Sequence, residues 1–168
     1  MVADFSWIEY NVTAGDTGVP TNLNLGSSTG RNIAPSTYPI TAGTYSYSKW
    51  VRGWWGNSFT RIENLKFWCS ASGTGYVTGE TLLFSGTTAS YAGTTTYATP
   101  TNGADAKAPN AMVFSAPGTA NIGFTGSLTN SLTATGMCDY IVIQASITSA
   151  ASAGATQTKT FTLQYDEV

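Results

Sequence analysis

Nine carboxylates, seven lysines and arginines, two cysteines and no histidine make up the acid-base and metal-binding equipment of this 168-residue chain. Without histidine the Ser-His-Asp type of triad and the usual zinc sites are excluded, and so is the side chain that titrates near neutral pH without help. What remains is a pair of carboxylates sharing acid and base roles. The adjacent pair Asp166-Glu167 sits at the carboxyl end, after the expected last strand, where solvated acids are usual. Asp139 opens an expected strand, and Glu63 lies beside Arg61 with Lys66 close by, so both read as structural. No 12-residue acidic loop of the calcium-binding kind is visible. The expectation is a chain with no catalytic residue, no metal site and no cofactor.

Cys69 and Cys138 are far enough apart for a disulfide to stabilise the fold by about 4 kcal/mol in the chain-entropy model. No secretory leader is visible, however, and a reducing cytoplasm favours two buried thiols. The same argument makes the glycosylation-like string Asn11-Val12-Thr13 accidental.

Few segments can position these groups other than strands. Apolar residues at helical spacing are nearly absent, whereas alternation with period two recurs between Gly, Pro, Ser and Asn clusters, and 18 Gly and 6 Pro punctuate the chain often. Strands are expected over residues 3–10, 44–52, 59–69, 80–85, 111–115, 121–125, 140–149 and 156–165. Eight strands suit an all-β, antiparallel two-sheet sandwich of jelly-roll type, built as one domain over residues 1–168. In the last strand Phe161, Leu163 and Tyr165 face one way and Thr160, Thr162 and Gln164 the other. In the strand before it both faces are apolar near the start, which places it centrally in a sheet. The alanine-rich link 149–155 reads as a hairpin loop. Residues 13–41, with four Gly and three Pro and no periodicity, read as an extended arm or wandering loop, and residues 87–109 as a second long loop.

Aromatic density peaks after Ile40. Tyr45, Tyr47, Trp50, Trp54, Trp55, Phe59, Phe67 and Trp68 crowd around Lys49, Arg52, Arg61 and Lys66. One reading is a sandwich core with the long basic stems lying over the rings. A second is a contact surface, because Trp, Tyr and Arg dominate the energetic centres of interfaces and Trp54-Trp55 lies between Gly53 and Gly56 at an expected turn. Trp50, Arg52, Trp54 and Trp55 are therefore the candidate interface. A third reading stacks sugar rings on the tryptophans, with Asn57 and Ser58 as polar partners.

A net charge of −2 with scattered basic residues leaves no stripe able to neutralise a run of phosphates, so nucleic acid is not an expected partner. No apolar run approaches a membrane span, and the first residues carry acids where a leader needs bases, so synthesis in a cytoplasm is expected without a membrane partner.

Residues 43–52 (GTYSYSKWVR), 59–68 (FTRIENLKFW) and 163–168 (LQYDEV) resemble tailed-bacteriophage virion proteins, and small β-sandwich head proteins most of all. The resemblance implies a jelly-roll decoration, or cement, protein at the surface of the virion. Such a protein is commonly a homotrimer that binds the outside of the major capsid protein lattice at its threefold or quasi-threefold points, with arm 13–41 free to lie across a neighbouring capsomer. A carbohydrate- or receptor-binding module of a phage tail or cell surface, and a pilus or surface-layer subunit, are the alternatives that the same composition allows.

Overall fold

The computed structural model describes residues 2–11, 17–71, 77–87, 91, 93–151 and 158–168. Eight strands form: β1 (Asp4–Tyr10), β2 (Lys49–Gly56), β3 (Ile62–Ala71), β4 (Glu80–Phe84), β5 (Asn110–Ala111), β6 (Gly136–Met137), β7 (Ile141–Ile147) and β8 (Lys159–Glu167). Among the described residues there is no helix. The larger sheet runs β1-β2-β7-β4-β5, with β6 pairing the far end of β2, and the smaller is β3-β8. Every pairing is antiparallel.

β7 is the strand whose two apolar faces mark it as central, and it lies between β2 and β4. Its Ile141, Ile143 and Ala145 face the smaller sheet and join Val51, Trp55, Leu82, Phe84 and, from β3, Ile62, Leu65, Phe67 and Cys69 in the main core. Its opposite face carries Val142, which packs with Trp50, Tyr140 and Ala108 in a second core. The loop after β4 covers that outer face. Gln144 holds it there: the side-chain amide donates to the carbonyls of Ser46 at 2.9 Å and Gly103 at 2.7 Å, and its oxygen accepts from the Asp105 N–H at 2.9 Å.

β8 crosses the larger sheet diagonally. Lys159 meets Glu80 at the start of β4, while at its other end the Tyr165 ring lies 5.8 Å from Phe5 of β1 and 5.2 Å from Trp55 of β2. Two strands cannot cover a sheet of six, and the described part of segment 13–41, residues 17–41, supplies the rest of the layer. Leu23, Leu25 and Ile40 pack against the main core and Ile33 is buried. Of the two readings, arm or loop, residues 17–41 follow the loop and fold back onto their own body.

Three further expectations change. β7 and β8 belong to different sheets, so the link after Ile147 is a crossing between sheets and not a hairpin loop; its residues 152–157 lie outside the described residues. Residues 121–125 form no strand. Phe124 and Ser127 close a tight turn, and the buried Asn121 side chain accepts from the Phe67 N–H at 2.7 Å and donates to the Phe67 carbonyl at 2.8 Å, standing in for a neighbouring strand beside β3. Residues 49–52 are strand as expected, but 44–48 precede the strand and 53–56 belong to it, since β2 starts at Lys49 and continues through both tryptophans to Gly56.

Candidate functional site

Where segment 17–41 and β8 fail to meet, they leave a groove of about 1000 Å³. Leu82, Ala145 and Ile147 of the larger sheet form its floor, Leu23, Leu25 and Ile40 one wall, and Phe161 of β8 the other. The charged groups in its lining neutralise each other: Lys159 Nζ lies 2.9 Å from both carboxylate oxygens of Glu80, with side-chain exposures of 7% and 3%. The Val77 N–H donates to the same carboxylate at 3.3 Å. A lining of this kind favours apolar and uncharged matter over free anions or cations.

Trp50, Arg52, Trp54 and Trp55 all lie on β2, so alternation sends them to both faces. Trp55 faces the main core and Trp50 the outer core, and neither is exposed at all. A ring with no accessible surface cannot touch a partner, and this corrects their place in the candidate interface. Trp55 packs at 5.4 Å from Phe5 and 5.8 Å from Phe124; Trp50 packs at 5.4 Å from Tyr97 and 5.5 Å from Tyr140. Arg52 is half-buried. Its guanidinium lies 4.6 Å above the Tyr140 ring and donates to the Cys138 carbonyl, which ties β2 to the break between β6 and β7. Trp54 is half-exposed, and its ring folds over Gly56, where a Cβ would lie 2.1 Å from it. The expected turn at Gly53 and Gly56 is thus a strand with two places where only hydrogen leaves room for a ring.

The acids considered as an acid-base pair stand apart. Asp166 and Glu167 lie within β8, point to opposite faces, and accept from the Asn64 side chain at 2.7 Å and the Ala3 N–H at 3.0 Å. Glu63 pairs with Arg61 at 2.8 Å on the surface. Asp139 is buried and accepts from the Tyr91 hydroxyl at 2.9 Å and the Gly126 N–H at 3.0 Å. Burial raises its carboxyl above the usual range, outweighing those hydrogen bonds and the field of Arg52, and burial beside Asp139 pushes the Tyr91 hydroxyl up as well. Cys69 and Cys138 are free and fully buried, and desolvation pushes their thiols up to about 11 and about 12.

The two buried ion pairs, Glu9 with Lys49 and Glu80 with Lys159, are the polar features that sequence reasoning missed. One signal was present. In β1, Glu9 falls in phase with Phe5 and Trp7, so a core-facing strand position is occupied by an acid that needs a buried base. No family model, curated protein or solved structure matches this chain.

Proposed function

We propose that the chain is a non-enzymatic structural subunit of a tailed-bacteriophage virion, a head decoration protein that binds the outside of the capsid lattice as a homo-oligomer and stabilises it. The observation that carries this reading is the use made of the buried charges. Lys49 ties β2 to Glu9 of β1 and to the carbonyls of Thr29 and Gly30, Lys159 ties β8 to β4, and Asp139 ties the chain at Tyr91 and Gly126 to the start of β7. Each group fastens one stretch of chain to another. A six-strand sheet covered by aromatics on both faces gives the stiffness that a lattice clamp needs. The three strings that resemble small head proteins point the same way. The run β2-β7-β4-β5 and the pair β3-β8 support a jelly-roll reading, while β1 and β6, both paired with β2, depart from it.

The alternative is a carbohydrate- or receptor-binding module, favoured by the half-exposed Trp54 ring on the outer face. Co-sedimentation separates the two. With heads assembled from the major capsid protein encoded on the same genome, the purified chain is expected to pellet saturably and at a fixed ratio. No pelleting, together with a hit on a glycan array that Trp54→Ala abolishes, would move the chain to the alternative.

A further inference from the structure

β8 is nine residues long and among the described residues has a single neighbouring strand, β3. Among the described residues no strand or bridge pairs with its other edge. From Thr160 to Tyr165 there is no charge, no Pro and no Gly, and edges of that kind are templates for a further strand. The burial pattern shows where cover is missing. Ile62, Leu65, Phe67 and Cys69 of β3 are at most 1% exposed, yet Phe161, Leu163 and Tyr165, on the same inner face of β8, are only half-buried along the strand's length.

We propose that this edge pairs with the β8 of a second copy, antiparallel about a twofold axis at Leu163, giving a continuous β3-β8-β8-β3 sheet. The sequence of the strand, KTFTLQYDE, is complementary to itself in that register. Lys159 falls opposite the second copy's Glu167, Thr160 opposite Asp166, Phe161 opposite Tyr165, Thr162 opposite Gln164, and Leu163 opposite itself. Aromatics thus meet aromatics on the inner face and hydrogen-bonding side chains meet on the outer face, while Lys159 keeps its buried pair with Glu80. A slip by one residue would set the inner row against the outer row and lose all of these pairings. Because the closed contact is isologous, it gives a dimer and not a filament. This differs from the threefold assembly that the resemblance implies.

Sedimentation of the purified full chain, with no capsid present, reads the dimer directly, so its failure is distinct from failure of the capsid reading. The expected mass is twice 17.6 kDa. Thr162 and Gln164 lie on the outer face, away from the core, which allows a register test by charge. Thr162→Lys with Gln164→Lys sets like charges across the axis and is expected to weaken self-association at least about tenfold, whereas Thr162→Lys with Gln164→Glu sets opposite charges together and keeps the dimer. In the unmodified protein, amide exchange in residues 159–167 is expected to quicken on dilution. A monomer or a trimer, an equal response of the two variants, or exchange independent of concentration would overturn the proposal.

Discussion

Lys49 on β2 and Glu9 on β1 form an ion pair of 3.0 Å inside the protein, with side-chain exposures of 1% and 0%. The same ammonium donates to the carbonyls of Thr29 and Gly30, so one side chain joins the edge of the larger sheet to the segment that completes the second layer. Burying two charges is costly, and the pair repays that cost only while both partners and the carbonyls stay in place.

Removing one partner should therefore be worse than removing both. Glu9→Gln or Lys49→Met is expected to lower stability by about 3 to 5 kcal/mol in urea unfolding, and Glu9→Leu with Lys49→Met to lie closer to the parent than either single change. Lys49→Met also releases segment 17–41, so trypsin should cut at Arg31 faster than in the parent. Equal cutting rates would show that the segment is held by its apolar contacts alone.

The tryptophans divide by face. Trp50→Ala and Trp55→Ala each empty a buried site and should cost about 3 to 5 kcal/mol in thermal or urea unfolding, while Trp54→Ala should cost about 1 kcal/mol or less. Gly56→Ala, which drives a methyl into the Trp54 ring, should destabilise more than Trp54→Ala, and Gly56→Ala combined with Trp54→Ala should recover much of the loss.

These residues also show what the sequence could and could not reveal. Central β7 was legible because its alternation is apolar on both faces, and β8 because its inner and outer rows differ so clearly. β2 was read several residues early because Gly53 and Gly56 look like turn signals. A Cβ at Gly53 would lie 2.8 Å from the Trp55 ring and 2.9 Å from Leu163, so this glycine serves side-chain packing from another sheet, which no local pattern reports. The candidate interface suffered from the same error, since a turn would have exposed both Trp54 and Trp55. The ion pairs join residues 40 and 79 positions apart, beyond the reach of any periodicity.

The thiols offer a check on burial. With Cys69 and Cys138 raised to about 11 and about 12, neither should react with a disulfide reagent at neutral pH in the native protein, and two thiols per chain should appear on unfolding. Fast reaction of either in the folded protein would contradict its placement in the core.

Asp139 gives a pH signature. Its folded carboxyl holds a proton more tightly than the ordinary value of 3.8, so between 3.8 and its raised value the folded state binds more protons than the unfolded. Its contribution is fully present below 3.8 and is lost as pH rises through the raised value. The stability of the parent relative to Asp139→Asn should therefore increase as pH falls through that window. A difference that is flat, or that shrinks on acidification, would show that the hydrogen bonds from Tyr91 and Gly126 outweigh burial.

The proposed capsid role is tested most directly by electron cryomicroscopy of particles from otherwise identical phages that carry or lack the gene. Difference density is expected on the outer surface of the head, repeated at equivalent lattice points and sized for copies of this 168-residue chain. Identical heads, or difference density confined to the tail, would contradict it.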